Sequence, residues 1–471
     1  MSSRGPGKTR TASSKEVWEQ DRRHHVHPFH HFVSYAEDGA LIINEGSGTR
    51  LTDIDGNEYF DAVGGMWCTN IGLGRSEMTD AIARQTAKLA YANPFTDMSN
   101  EPAARLSAKL AELAPGDLNH VFFTCGGSTA NDGAFRLIQM YQSARGKKQK
   151  KHILSRRDSY HGTTYLAASL SGKAGDRTPD FNYIEDIIHH LSSPNFYRAP
   201  EGMDEPQFCD YLIDEMERKI IELGAENVAG FYAEPIMGSG GVIVPPETYN
   251  RRTWELCQKY DIVYVADEVV TAFGRLGHWF VSKEMFDVQP DIICCAKGLT
   301  SAYLPLGAMI FSDKIYEAVS GDSDRWFSSG YTYSGHPVCC AAALKNIEII
   351  ERENLFENVR VVGAYFEEQL HTLLDLPIVG DIRGRLFMMC VVNVMDKETG
   401  EFFPPEVNIG KRISNHAEAQ GVIVRPAADL NIMSPALTMS KQDVDFFIPR
   451  LRKAIELTVV DLRAEGYLQD T

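Results

Sequence analysis

The pattern of apolar and polar positions changes character along the chain. Between residues 40 and 62 the half-apolar stretches Leu41-Ile42-Ile43-Asn44, Arg50-Leu51-Thr52-Asp53 and Glu58-Tyr59-Phe60 are separated by Gly46-Ser47-Gly48 and Asp55-Gly56-Asn57. That spacing predicts a β-meander with Asp55-Gly56 as a hairpin turn. From about residue 76 two kinds of segment alternate. Residues 121–124, 228–233, 262–266, 292–296 and 308–311 are continuous apolar runs, as in a mostly parallel sheet covered on both faces. Residues 78–90, 101–113, 130–141, 211–223 and 249–259 carry apolar residues at helical spacing. Pro337 opens a helix predicted to reach about residue 353, a strand follows at 386–392, and another helix ends before Gly421. Ser440, with Asp443 behind it, opens a final helix with a capping-box pair.

This order predicts an α/β protein. A large domain over 76–334 holds the sheet, and a smaller α+β domain draws on 26–75 and 335–471. Residues 1–25 read as a flexible polar tail. At 471 residues the chain is several times longer than one core requires.

Composition narrows the classes without changing this picture. With 44% hydrophobic and 24% charged residues, the disordered, collagenous and disulfide-scaffold classes are excluded. A net charge of −17 argues against a nucleic-acid partner. No apolar run approaches the roughly 20 residues of a membrane helix, so no membrane is expected. Arg4, Lys8, Arg10 and Lys15 stand without an acidic neighbour in the first fifteen residues, but large apolar residues for an amphipathic targeting helix are missing. The nine cysteines form no CxxC pair, which fits free thiols and a cytoplasmic location. His24, His25, His27, His30 and His31 show neither helical spacing nor a clear acidic partner. No metal is expected, and the segment is read as the lead into the smaller domain.

Three places carry chemistry. Cys125-Gly126-Gly127-Ser128-Thr129 joins a buried strand to a helix, where free N–H groups and the helix dipole suit a phosphate. The competing reading is an ordinary helix cap by Ser128 or Thr129. Asp267 ends the apolar run 262–266, where α/β sheets bind ligands. Glu268 points to the opposite face, which disfavours a shared metal. Lys297 follows Cys294-Cys295-Ala296; it either snorkels outward or is a desolvated amine, depressed in pKa and nucleophilic toward a carbonyl. A phosphate turn, a carboxylate and an amine together match pyridoxal phosphate.

With these residues in view, the chain resembles the class III aminotransferases of fold type I, in their omega-transaminase (amine–pyruvate) branch. The resemblance runs from about His31 to the C-terminus. It rests on Asp53-Ile54-Asp55-Gly56-Asn57, Gly64-Gly65-Met66-Trp67-Cys68, Gly127-Ser128, Tyr160-His161-Gly162-Thr163-Thr164, Ala233-Glu234-Pro235-Ile236, Asp267-Glu268-Val269, Ala296-Lys297-Gly298-Leu299 and Thr332-Tyr333-Ser334-Gly335-His336-Pro337. It implies a large domain with a mostly parallel, seven-stranded type of sheet and an enzyme that transfers an amino group from an amine or omega-amino acid to an oxo acid, with pyruvate expected. Other pyridoxal phosphate activities (aminomutase, epimerase, decarboxylase) and a non-catalytic relative are the alternatives.

The resemblance also implies roles. Lys297 would carry the cofactor and move the proton, and Asp267 would keep the pyridine nitrogen protonated. Tyr160 and Val269 would cover the two ring faces, with His161 and Glu234 in the surrounding polar network. Gly127 and Ser128 would bind the phosphate, joined by Thr332 of a second subunit, so that active sites are shared in a homodimer; pairing of dimers into tetramers is left open. Trp67, Phe95 and Tyr160 would wall the substrate pocket, and Arg425 would grip the carboxylate of the acid substrate. One position departs from the family: Thr129 stands where glutamate is usual.

Overall fold

The computed structural model describes residues 12–95 and 97–469. The large sheet has seven strands: β1 (His120–Thr124), β2 (His152–Arg156), β3 (Ile188–Leu191), β4 (Val228–Ala233), β5 (Val263–Asp267), β6 (Ile292–Cys295) and β7 (Gly307–Phe311). Their spatial order is β1-β7-β6-β5-β4-β2-β3. β7 is antiparallel to both its neighbours, and the remaining pairs are parallel. β4, β5 and β6 are buried at every position, as their unbroken apolar runs predict.

β2 and β3 escape the apolar-run criterion because polar residues interrupt them. In β2, the buried Ser155 donates to Leu170 O at 2.7 Å and the buried Arg156 donates to Glu234 O at 2.6 Å. β3 is an edge strand, half-buried at its two histidines.

Two four-stranded sheets complete the fold. The meander forms as Ile43–Ser47, Arg50–Asp53 and Glu58–Asp61. Its turn depends on Gly56 at φ +84° and on Asp53 Oδ1, which accepts from the N–H groups of Asp55 and Asn57. Val422–Ile423 adds to this sheet parallel to the third strand, so distant parts of the chain share it. The other sheet orders Val379–Arg385, Met388–Asn393, Leu430–Met433 and Arg425–Ala427. Leu386, expected to open a strand, sits instead in the turn at φ +50°. A helix over Leu355–His371, which the sequence pattern did not single out, packs Phe366 against Phe387 and Phe447. The closing helix Lys441–Ala464 begins with the expected capping box of Ser440 and Asp443.

The tail expected over residues 1–25 is corrected in its second half. Residues 1–11 lie outside the described residues, and Ala12–His24 is a helix. Its side chains have tertiary partners: the Trp18 ring lies against Gly39, where a Cβ would come within 2.3 Å of it, and Arg22 donates to Ala36 O at 2.6 Å. Among the described residues no helix is long and apolar enough to cross a membrane.

Candidate active site

Because β1, β2, β4, β5 and β6 run in one direction, their C-terminal ends open onto one edge of the sheet, where ligands bind in such folds. β5 delivers Asp267, β4 is followed by Glu234, β6 by Lys297, β2 by Tyr160-His161, and β1 by the Gly126–Ser128 turn.

Asp267 is buried and held from three sides. Its Oδ2 accepts from Asn131 Nδ2 at 2.8 Å and pairs with His161 Nδ1 at 2.7 Å, while Oδ1 accepts from the Val269 N–H at 3.1 Å. Glu268 faces away and accepts from Val281, Ser282 and Thr271, which makes it a structural carboxylate. Opposite facing of strand neighbours thus separates the two acids as anticipated.

Lys297 takes φ +44° directly after β6, and its Nζ stands 5.8 Å from the Trp67 ring centroid. Burial lowers its pKa, opposed by the negative charges of Asp267 and Glu234 and by Cys68. The neutral amine that burial favours is the nucleophilic and basic form. Arg425 Cζ lies 5.5 Å from the centroid of the same Trp67 ring. Burial lowers the Arg425 pKa against the pull of Asp176 and Tyr160, and among the described residues no carboxylate pairs with its guanidinium. Trp67 reaches this position because residue 238 is glycine: a Cβ there would come within 2.2 Å of the indole.

Glu234 is buried, which raises its pKa, and it accepts from the N–H groups of Tyr160 at 3.0 Å and Gly238 at 2.8 Å. It therefore fixes the backbone that presents Tyr160 and the glycine that admits Trp67.

The helix after β1 begins at Gly127, three residues earlier than its apolar spacing indicates. Thr129 caps it. Its Oγ1 accepts from the N–H groups of Cys125 and Gly126 and donates to Gly126 O. Gly127 lies against Val269, where a Cβ would meet Cγ1 at 2.9 Å. Ser128 Oγ accepts from the Thr163 N–H at 3.2 Å, and Gly162 at φ +134° leaves room for it.

The structure thus gathers Lys297, Asp267, His161, Glu234, Tyr160, Trp67 and Arg425, with Gly127, Ser128 and Val269 alongside. Phe95 and Thr332 are not gathered with them in one chain. Phe95 is 61% exposed and rests near Gly330, and Thr332 is exposed with its carbonyl accepting from Tyr91 Oη. His161 reaches the site only through Asp267. Asn131 received no role from the sequence; its signal was a polar residue among Ala130, Gly133 and Ala134 on the buried helix face.

These residues fit pyridoxal phosphate on their own geometry: a helix start with a side-chain hydroxyl for a phosphate, an anchored carboxylate for a ring nitrogen, and a desolvated amine for an aldehyde. Fold and site define the class of fold type I pyridoxal phosphate enzymes. Within that class the chain belongs to the class-III aminotransferases, whose family model matches residues 33–455. It is 38% identical over 455 residues to the putrescine–pyruvate aminotransferase of Pseudomonas aeruginosa, covering 96% of this chain and 98% of that one. It is 35% identical over 465 residues to the diaminobutyrate–2-oxoglutarate transaminase of Halomonas elongata, covering 97% and 99%. An (S)-enantioselective omega-transaminase from Thermomicrobium roseum superposes with a TM-score of 0.92 at 37% identity, covering 96% of this chain and all of that one. The omega-transaminase of Pseudomonas jessenii, solved with PMP, gives 0.92 at 35% identity, covering 96% and 100%. The protein is a pyridoxal-phosphate-dependent aminotransferase.

Proposed function

We propose that the donor is an amine or omega-amino acid and that the acceptor is pyruvate. The observation that carries this reading is the shared pocket at Trp67. Lys297 Nζ and the unpaired Arg425 guanidinium approach the same indole, at 5.8 and 5.5 Å. A guanidinium fork grips the carboxylate of an oxo acid with two parallel hydrogen bonds. It lies on the short strand Arg425–Ala427, and swinging aside for a carboxylate-free amine would spare the site an unpaired buried charge. Similarity to a putrescine–pyruvate aminotransferase supports the same choice.

In this reading Lys297 would be the attachment point, and its amine would be the group that takes up and returns the proton. Bound pyridoxal phosphate supplies a ring that withdraws the electron pair left by C–H cleavage. Asp267 keeps the ring nitrogen protonated, since an adjacent carboxylate favours the charged form. Its bonds to Asn131 and His161 hold it in place. Tyr160 and Val269 would flank the ring, and Glu234 sets Tyr160 through its backbone. Gly127 and Ser128 bind the phosphate.

Thr332 completes the phosphate site from a second copy, so Thr332 and Phe95 act across the interface of a homodimer. Their exposure, with that of Tyr333 at 59% and Trp326 at 83%, supports an interface there. The division at residues 76–334 against 26–75 and 335–471 belongs to the same reading, supported by the sheet that joins Val422–Ile423 to Glu58–Asp61. Nine free cysteines, seven of them buried, support a reducing, cytoplasmic setting.

A panel of diamines, omega-amino acids and arylalkyl amines offered with pyruvate, read by alanine formed, tests the choice of substrates. Turnover with 2-oxoglutarate and none with pyruvate would overturn the acceptor.

A further inference from the structure

Outside the active site, one cluster of side chains has no part in transamination. Helix Ala12–His24 ends beside residues 25–35, and its last turns bring Asp21 to two of the histidines that follow. Asp21 Oδ1 lies 3.0 Å from His25 Nδ1 and 3.2 Å from His27 Nε2, and all three ligand atoms fall within 4.8 Å of one another. Tyr35 Oη is 2.6 Å from His27 Nε2 and also donates to Asp21. A tetrahedral zinc ion with bonds of about 2.0–2.1 Å holds its ligand atoms about 3.3–3.4 Å apart. The two carboxylate–imidazole separations, 3.0 and 3.2 Å, are within a few tenths of an ångström of that spacing, and Tyr35 would have to move outward to make a fourth ligand. The sequence shows the histidines but not this arrangement, because the acid that faces them depends on a helix where a tail was expected.

We propose that Asp21, His25 and His27 form a binding site for a divalent transition metal of the zinc type, with Tyr35 or a water in the fourth position. One carboxylate and two imidazoles are a donor set that zinc takes readily and that calcium or magnesium, which prefer all-oxygen shells, do not. The surroundings are organised for it. The His27 N–H donates to His30 Nδ1 at 3.3 Å, and the His30 ring lies 4.5 Å from that of Tyr35, so the loop between the ligands is folded on itself. The ion would fasten the N-terminal helix to the segment carrying Phe29, whose ring is 6.5 Å from that of Tyr160. The site is thus a staple at the rim of the catalytic pocket, not part of the chemistry.

The test uses the holoenzyme, stripped with a chelator, reloaded with zinc sulfate and passed over a desalting column before elemental analysis. About one zinc per chain is expected in the wild type. His27→Ala and Asp21→Asn should bind at least about 100-fold more weakly, while His371→Ala, at a histidine distant in sequence, should retain the ion. Cobalt in place of zinc should give visible d–d bands of tetrahedral intensity in the wild type, a readout that does not depend on any variant folding. Wild-type protein that retains no zinc and shows no such bands would overturn the proposal. Undiminished zinc in both His27→Ala and Asp21→Asn would overturn it equally.

Discussion

Asp267 makes three hydrogen bonds, and each ties it to a different element: Asn131 in helix Gly127–Ala144, His161 after β2, and Val269 after its own strand. A carboxylate so restrained is pre-organised, so its field acts on a ring nitrogen without rearrangement in the reaction. Asp267→Asn keeps the shape and removes the charge. The expected outcome is a fall of about 100-fold or more in the rate of the amine half-reaction, with cofactor still bound. Stopped-flow absorbance of the single half-reaction measures it; a rate near wild type would remove Asp267 from its role.

At the scale of elements, the start of helix Gly127–Ala144 depends on one hydroxyl. Thr129 Oγ1 satisfies the N–H groups of Cys125 and Gly126. Thr129→Val should cost about 1 kcal/mol of stability, read by chemical denaturation, and should loosen cofactor retention during dialysis. The hairpin that presents Arg425 carries a pH-sensitive group. Asp429, in its turn, is pushed up to about 6 by burial, against Arg198 and its own backbone N–H. A carboxyl raised above its unfolded value contributes stability at pH below that ordinary value, about 3.9. The contribution is lost as pH rises through about 6. Asp429→Asn should therefore gain thermal stability relative to wild type at pH 8, and much less at pH 4. Equal differences at the two pH values would show that the turn does not feel this charge.

Across the whole molecule, what could be read in advance follows from where apolar runs stop. β5 and β6 are continuous runs that end on Asp267 and just before Lys297, so strand prediction and site prediction were a single inference. β2 and β3 were hidden by Ser155, Arg156 and paired histidines, which bond to Leu170, Glu234 and each other across gaps in the sequence. Asn131 was invisible for the same reason, since its partner Asp267 is far away in sequence. Helix Ala12–His24 is hard to read because Trp18, Arg22 and Asp21 anchor it, too few apolar positions to make a stripe. Phe95 and Thr332 stand exposed on the single chain, where the proposed homodimer would cover them. Activity should therefore fall with dilution in step with the dimer fraction measured by sedimentation, and a monomer at full specific activity would refute shared sites.

The proposed role of Lys297 is to hold the cofactor, just beyond the end of β6, where burial lowers the pKa of its amine. Borohydride reduction of the holoenzyme, followed by proteolysis and mass spectrometry, tests this directly. The pyridoxyl mass is predicted on the peptide containing Ala296-Lys297-Gly298. Stoichiometric label on any other lysine, with Lys297 unmodified, would contradict the account.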